Sequence, residues 1–451
     1  MVSVFICVAA TLIAFFAGRR SLVAGVLVVL ATGYAYGILR ANLLETFSHF
    51  IFDASVVGLY AAQLPNLMKR AQNAPFRELK RWVGVLILWP VLLFLVPMQD
   101  PLIRLVGLRG NTFLLPFLLI GALLGREELN GLALGVAVLN LLAFVLAGVE
   151  FFVGLEPFFP QSAVTELIYK SNDVANYTAY RIPSSFVQAH AYGGTMVMAL
   201  PLLLGACVQK RQRLWQRYFL FTALFVLILG VFLSGTRSHF VVMSLVLLVS
   251  AVSGHLKLAT RMAWLVALLC IGLIVSSEER LQRFVELSDT DFVVQRIEGS
   301  VNRNLLELAG KYPFGNGLGG GGTSIPYFMQ ELIRDPTGIE NEYGRILLEL
   351  GILGLCLWVG FIVWVFTRPV AYPKDPWSFG RRLAWFSASA YFATGLIGIG
   401  LLTSIPQTCL LLLTTGWIAA PRERETSAWQ ASEAQVRSGS RIPMWQYDQS
   451  V

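Results

Sequence analysis

Long apolar runs separated by polar connections dominate this 451-residue sequence. A helix needs about 20 apolar residues to cross the hydrocarbon core of a bilayer. By that measure the pattern predicts twelve spans, at residues 1–18, 21–39, 82–98, 111–125, 130–149, 191–208, 218–234, 239–256, 262–276, 346–366, 383–402 and 408–420. We therefore expect an all-α integral membrane protein of about 12 (12–13) transmembrane helices, with a large outward-facing loop between the ninth and tenth spans.

The segment from Phe50 to Met68 is a further candidate. It is only moderately apolar, and Asp53 lies within it. Two interpretations stay open at this point: a thirteenth span, or a helix that lies flat in the membrane interface.

The composition agrees with a polytopic membrane protein. Hydrophobic residues make up 56% of the chain and charged residues only 14%, against about 25% charged in an ordinary soluble domain. The mean hydropathy is +0.64. All five cysteines fall inside apolar spans without a CxxC pair, which argues against a disulfide or metal framework. The net charge of +8 has no separate basic domain behind it, so nucleic acid is not an expected partner.

Basic residues in the connections predict the orientation, because short loops rich in Lys and Arg stay in the cytoplasm. Three connections carry them: Lys69, Arg70, Arg77, Lys80 and Arg81; Lys210, Arg211, Arg213 and Arg217; and Arg368, Lys374, Arg381 and Arg382. The alternate connections then face outward, at 99–110, 150–190, 235–238, 277–345 and 403–407. Twelve spans put the N-terminus inside. A thirteenth puts it outside with Arg19-Arg20 inside, which the charges favour.

The chain divides into six parts on this pattern. These are N-terminal helices (1–149), an outward loop (150–190), central helices (191–276), a large outward loop (277–345), C-terminal helices (346–420) and a polar tail (421–451). The tail is rich in Ser, Gln and Arg, and we expect it to be cytoplasmic and disordered. Residues 1–18 lack a basic n-region and a small-residue cleavage site, so they are predicted to be a retained span.

The stretch Ile339-Glu340-Asn341-Glu342-Tyr343-Gly344-Arg345 ends the large loop and continues directly into an apolar span. It puts carboxylate, amide and guanidinium groups at the entrance of a membrane helix, where polar groups are costly unless they have a function. Chemistry at the membrane surface is therefore predicted. A structural interpretation also stays open, because acids favour the first turn of a helix and Asn341 could be its cap.

Two outward-facing arginines are candidates for anion binding. Arg181 precedes a proline and the start of a span, where a helix N-terminus attracts anions. Arg237 lies in the tight turn Ser234-Gly235-Thr236-Arg237, and its planar guanidinium suits a diphosphate. The alternative for both is a side chain that snorkels to the interface. His190, near Arg181, is interpreted as a capping or hydrogen-bonded histidine before it is interpreted as a base.

The segment Tyr312 to Ser324 is dense in glycine. It lacks the GK[ST] ending of a P-loop and does not follow a strand, so nucleotide binding is not expected and a flexible loop is the preferred interpretation. The triplet Asp289-Thr290-Asp291 matches the DxD pattern of many soluble glycosyltransferases. Nucleotide sugars are absent on the outward side, so this match is set aside.

Four of these features together resemble the O-antigen ligase and polymerase superfamily. Glu340-Asn341, nine residues, Gly351, two residues and Gly354 resemble its signature, in which His-Asn or His-Ser precedes Gly-x-x-Gly. The turn ending at Arg237 resembles the family's Ser-x-Ser-Arg motif, and Arg181 resembles its first arginine. Pro313 to Gly319 resembles its Pro-x-x-Gly-x-Gly-x-Gly segment, with one residue fewer after the proline. The resemblance covers roughly residues 170–420.

The resemblance implies a GT-C type membrane glycosyltransferase of the bacterial inner membrane. It would transfer a glycan from a polyprenyl diphosphate carrier to an acceptor glycan or glycolipid hydroxyl, with inversion, without metal or cofactor, on the periplasmic face. Arg181 and Arg237 would hold the diphosphate. Glu340 stands where ligases carry histidine and would be the catalytic base, since a carboxylate can also accept a proton. Asn341, His190, Tyr343 and Arg345 would support the site.

The glutamate at this position favours a polysaccharide polymerase over a ligase. Two other functions stay open: a transporter or flippase of lipid-linked oligosaccharide, which would use the same arginines, and a non-catalytic subunit of an export complex. A transporter needs polar residues through the membrane midplane. In this sequence they gather at the outward span ends, which favours the enzyme.

Overall fold

A computed structural model of the chain describes residues 1–43, 45–70, 74–160, 181–209, 213–253, 290–299, 305–323, 325–339, 341–370 and 375–420. These residues form helices and connections, with no strand among them. The helices are α1 (Val2–Arg20), α2 (Leu22–Asn42), α3 (Ile51–Arg70), α4 (Ala74–Phe94), α5 (Pro101–Thr112), α6 (Phe117–Gly121), α7 (Arg126–Val153), α8 (Ala189–Cys207), α9 (Leu214–Ser234), α10 (Arg237–Val252), α11 (Thr290–Glu298), α12 (Leu308–Lys311), α13 (Glu342–Phe366), α14 (Ser378–Thr394) and α15 (Gln407–Ala419).

Seven helical stretches in these ranges are long and apolar enough to cross a membrane. They are α1, α2, the stretch Pro101–Gly121 that joins α5 and α6, α7, α8, α9 and α13, while α10 and α15 are apolar but shorter. The chain is therefore an all-helical, multi-pass membrane protein. The total of about twelve spans stays a prediction, because the predicted span 262–276 lies outside the described residues, as does the tail 421–451.

Helix α3, which contains Asp53, packs lengthwise along α1. The Thr11 hydroxyl donates to the Ala54 carbonyl near the start of α3 (3.0 Å), and Gln63 Nε2 donates to the Gly18 carbonyl near its end (2.7 Å). From the first contact to the second, the residue numbers increase along both helices, so the two helices are parallel. This packing is compatible with a thirteenth span, but α3 is not among the seven stretches long and apolar enough to cross a membrane, so both interpretations stay open. The packing also brings the C-terminal ends of α1 and α3, both basic in sequence, to the same side.

Six helix termini meet at one end of the bundle, called the polar end below. They are the starts of α8, α10, α13 and α15 and the ends of α9 and α14, and their side chains contact one another directly. At the opposite end, Arg381 Nη1 donates to the Trp417 carbonyl (2.9 Å) and Arg368 Nη1 to the Ala419 carbonyl (3.1 Å). These two arginines were predicted to share one side, and they do lie at the same end of the bundle.

Helix α13 is broken at Gly351, which has φ +70°, a backbone region that favours glycine. The glycine-dense segment fills the break. Ile352 N donates to the Pro313 carbonyl (2.9 Å), and the Leu348 carbonyl, freed from its own helix, accepts from Asn316 N (2.6 Å). These contacts satisfy backbone groups that would otherwise be unpaired in an apolar setting.

The rest of the glycine-dense segment is also packed, since residues 317–321 are buried. A Cβ at Gly319 would lie 2.6 Å from the Ile103 carbonyl oxygen, and one at Gly321 would lie 2.9 Å from Glu349 Oε1. The segment thus lies between α5 and α13, in contrast to the flexible loop that its composition predicted. Glycine is required here for close backbone approach.

Candidate functional site

Arg181 belongs to a short non-helical segment with a turn at Ser184, residues 181–187, that we call the arginine strap. Its backbone is tied to two helices: Ile182 N donates to the Leu233 carbonyl of α9 (3.3 Å), and the Ser185 carbonyl accepts from Ile38 N of α2 (3.1 Å). Leu233 lies just before the turn that carries Arg237. The two arginines predicted to act together are therefore carried by segments in direct contact, and both side chains are partly buried.

Next to the arginines lies a group of polar side chains that we call the neutral cluster. Its members are His190, His239, Tyr391 and Gln407. The two imidazole rings stack with centroids 4.4 Å apart, and His239 Nε2 lies 3.0 Å from the Tyr391 hydroxyl. His190 was a predicted supporting residue. The other three were not singled out from the sequence, because each is a single polar residue in or beside an apolar span.

Glycines let the neutral cluster approach the backbone of α8. A Cβ at Gly194 would lie 1.8 Å from Gln407 Oε1 and 2.9 Å from the Tyr391 hydroxyl. Gln407 is fully buried, yet neither its amide oxygen nor its nitrogen has a hydrogen-bond partner in the described part of the chain. The same holds for His190 Nε2 and His239 Nδ1. Buried polar atoms are normally paired with protein or water, so these atoms are available to bind water or substrate.

A second group, the ion cluster, is made of Glu342, Arg345 and Glu349 at the start of α13 and of Asn111 on α5. Arg345 Nε donates to Glu342 Oε1 (2.7 Å), and its Nη1 donates to Glu349 Oε2 (3.0 Å) and to Asn111 Oδ1 (3.1 Å). The side chains of all three charged residues are completely buried. A small cavity beside them is lined by Asn111, Leu115, Arg345, Trp358 and Leu402.

Glu342 fixes the entrance of α13 to the segment after α14. Its Oε2 accepts hydrogen bonds from the backbone N–H groups of Gly400 (2.8 Å) and Leu401 (3.0 Å). Its own N–H donates to the carbonyls of Gly395 and Gly398. The start of α13 is thus anchored through Glu342 to the α14–α15 connection at the polar end.

The supporting residues predicted on α13 have mostly structural contacts. Asn341 caps the helix, because its side chain accepts from Gly344 N (2.5 Å), as the structural interpretation anticipated. The Tyr343 hydroxyl donates to the Phe392 carbonyl (2.9 Å), and Arg345 belongs to the ion cluster. Glu340, the predicted base, lies outside the described residues, as does the set-aside Asp289. Asn341, its neighbour, lies at the polar end.

Electrostatic interactions connect these groups into one region. Arg181 lies within electrostatic range of both His190 and His239, and Glu342 within range of Tyr391. The arginine strap, the neutral cluster and the ion cluster therefore adjoin one another at the polar end. Among the described residues, no three His, Cys, Asp or Glu side chains are grouped as a metal site requires.

Some of the site residues that were not singled out from the sequence do have a local sequence signal. Glu342 and Glu349 flank Arg345 at spacings of three and four, which places all three on one helix face, where they can pair. His239 follows Arg237 by two residues. Tyr391 and Gln407 carry no comparable local signal, because their partners are distant in sequence.

Comparison with known proteins adds no assignment. No protein-family model matches the chain, and no curated protein sequence matches it. The function must therefore be inferred from the residues at the polar end.

Proposed function

We propose that this chain is an inverting, metal-independent membrane glycosyltransferase. It takes a glycan from a polyprenyl diphosphate carrier and joins it to an acceptor hydroxyl, in the manner of the O-antigen ligase and polymerase superfamily that the sequence resembles. The observation that carries the proposal is the hydrogen bond from Ile182 N to the Leu233 carbonyl, since it joins the segments of Arg181 and Arg237. Two guanidinium groups in adjacent segments match a diphosphate.

The other two motif segments support the same location. Asn341, which follows Glu340, begins α13 at the polar end, and the glycine-dense segment that starts at Pro313 packs against that helix. Leaving-group departure and hydroxyl attack occur at one anomeric carbon, so the diphosphate clamp and the base must be close. The segments of Arg181 and Arg237 and the helix cap Asn341, the neighbour of Glu340, lie at the same end of the bundle, which supports this proposal.

In the proposed reaction the acceptor oxygen attacks the anomeric carbon as the bond from that carbon to the diphosphate oxygen breaks. The acceptor proton passes to the Glu340 carboxylate, and the carrier diphosphate leaves with its negative charge held by Arg181 and Arg237. The unpaired polar atoms of the neutral cluster supply hydrogen bonds for hydroxyl groups of the glycan. His190, at the start of α8, is the member we place nearest the donor.

The site lies on the outward face of the bacterial inner membrane in this proposal, and the glutamate at position 340 favours a polymerase over a ligase. A transporter is less well supported. The charged side chains of the ion cluster all lie within the first two turns of α13, and each is paired within the protein. Groups that accompany a substrate across a bilayer must be able to exchange partners near its midplane.

The test uses the full chain purified in detergent with a polyprenyl-diphosphate-linked glycan as donor and the same glycan as acceptor. A glycosyltransferase releases polyprenyl diphosphate in micelles, whereas a transporter or a non-catalytic subunit does not. Arg237→Lys should lower this release by about 10–100-fold, because lysine keeps the charge but loses the bidentate bonds, worth about 1.5–3 kcal/mol. Arg217→Lys, at the other end of the bundle, is the matched control and should be unaffected. Absence of release by the unmodified protein contradicts the proposal.

A further inference from the structure

Ser184, in the middle of the arginine strap, has an unusual backbone conformation. Its φ is +52°, and Asp335 is the other non-glycine residue with positive φ in the described ranges. Side chains with a Cβ rarely adopt this region, and such strain persists where surrounding contacts enforce it. Ser184 lies three residues after Arg181, so whatever holds Ser184 also determines where the strap directs Arg181.

Helix α7 supplies the contacts that hold Ser184. Its backbone N–H donates to Glu150 Oε2 (2.8 Å), and its hydroxyl donates to the Ala143 carbonyl (2.7 Å). Ser184 is completely buried and Glu150 is 1% exposed. The contacts of the strap to α2 and α9 lie on either side of this residue. Ser184 itself is where a side chain of another helix determines the backbone conformation of the strap.

Glu150 has no evident structural role apart from the strap. Its second oxygen, Oε1, has no hydrogen-bond partner among the described residues, and no cation pairs with it there. A carboxyl group buried near the end of a membrane helix is costly and is retained where it has a function. The bond to the Ser184 N–H requires an acceptor oxygen at this position and does not require a negative charge.

We propose that Glu150 is a positioning residue for Arg181. By accepting the Ser184 N–H, it keeps the strap in the strained conformation that presents the Arg181 guanidinium to the diphosphate of the donor. This inference rests on the proposed function, because it assigns diphosphate binding to Arg181. It predicts that an acceptor oxygen suffices at position 150, so glutamine should replace glutamate and leucine should not.

The test measures binding of undecaprenyl diphosphate, without glycan, to the full-length protein in lipid nanodiscs. Glu150→Gln should bind within about twofold of the unmodified protein, since its amide oxygen can accept the same bond. Glu150→Leu should weaken binding by about tenfold, the effect of losing roughly one well-placed hydrogen bond to a charged group. Gln63→Leu, which removes a buried amide from α3 away from the strap, controls for general destabilisation.

The Arg181→Ala variant separates the inference from the proposed function. If Glu150 acts through Arg181, the double variant Glu150→Leu/Arg181→Ala should bind no more weakly than Arg181→Ala alone, which is non-additivity between coupled residues. Fully additive effects, or normal binding by Glu150→Leu with weakened binding by Arg181→Ala, would overturn the inference alone. Normal binding by Arg181→Ala would overturn the proposed function.

A second variant keeps the test decisive if Glu150→Leu folds poorly. Glu150→Ala leaves room for water to pair with the Ser184 N–H, so it should accumulate in membranes more readily while still loosening the strap. We expect it to weaken undecaprenyl diphosphate binding by about threefold or more, again without an added effect in the Arg181→Ala background. Unchanged binding in a folded Glu150→Ala protein would contradict the positioning role.

Discussion

The ion cluster and the neutral cluster are two buried polar groups that adjoin at the polar end but differ in how completely they are hydrogen-bonded. In the ion cluster, each of Glu342, Arg345, Glu349 and Asn111 makes at least two hydrogen bonds. In the neutral cluster, the four side chains share one among the described residues, between His239 Nε2 and the Tyr391 hydroxyl. Two atoms of the ion cluster, Arg345 Nη2 and Glu349 Oε1, lack a hydrogen-bond partner among the described residues, against four atoms in the neutral cluster, and the charges of the ion cluster pair with one another. Paired buried charges stabilise a fold, whereas unsatisfied polar atoms need water or substrate. We therefore assign a structural role to the ion cluster and propose the neutral cluster as the binding region.

The largest effect should follow from breaking the ion cluster. Arg345→Leu leaves two buried carboxyl groups without their cation, and loss of one partner of a buried pair costs about 3–5 kcal/mol. We expect little folded protein in membranes, measured by size-exclusion chromatography of a fluorescently tagged chain. The exposed residue Arg77 provides the control, because Arg77→Leu should accumulate normally. Normal folding of Arg345→Leu would contradict the structural role.

An intermediate effect is expected at the break below the ion cluster. Gly351→Ala introduces a Cβ at φ +70° and ψ −179°, a backbone conformation adopted almost only by glycine, which costs about 1–3 kcal/mol, and places that atom 2.9 Å from the Phe314 carbonyl carbon. The loop that covers Arg345 and Glu349 should loosen, and the melting temperature of the purified protein should fall by several degrees. Gly84→Ala in α4, where a Cβ would meet no atom within 4 Å, is the control and should leave it nearly unchanged. If the Gly351→Ala variant melts at the same temperature as the unmodified protein, the packing of the loop does not depend on the break in α13.

The smallest effect on stability should come from the neutral cluster. Gln407→Leu removes a buried amide with no partner, so the free energy of unfolding should stay within about 1 kcal/mol or rise. Release of polyprenyl diphosphate should nevertheless fall by about tenfold, if water or glycan hydroxyls bind this amide. Stability is read from thermal melts and activity from the detergent assay. A large loss of stability with normal specific activity would reverse the roles assigned to the two clusters.

Hydropathy and charge predicted the helical class, the membrane setting and the common end of Arg368 and Arg381, because these properties are local in sequence. The Asn341 cap was also anticipated as an alternative, since capping depends on neighbouring residues. The neutral cluster was missed because His239 and Tyr391 are 152 positions apart, and no local pattern reports such a pairing. The break at Gly351 was hidden for a related reason: the inserted segment comes from another part of the chain.

The arginine strap, too, could be predicted from the sequence only in part. Arg181 could be proposed from its place before a proline and a span, but the φ of Ser184 and the acceptor at Glu150 depend on tertiary packing. In the sequence, Glu342 is likewise one of several acidic residues near Arg345. Its bonds to Gly400 and Leu401, more than 50 positions away, have no signal in the local sequence.

The central claim, that Glu340 is the base of a glycosyl transfer at the polar end, is tested most directly by Glu340→Gln in the detergent release assay. Glutamine keeps the shape and hydrogen bonding of the side chain but cannot accept the proton. The account predicts a folded protein that binds undecaprenyl diphosphate normally and releases it from the glycan donor about 10²–10⁴-fold more slowly. A Glu340→Gln protein that releases polyprenyl diphosphate at the unmodified rate would remove Glu340 from the mechanism and contradict the account.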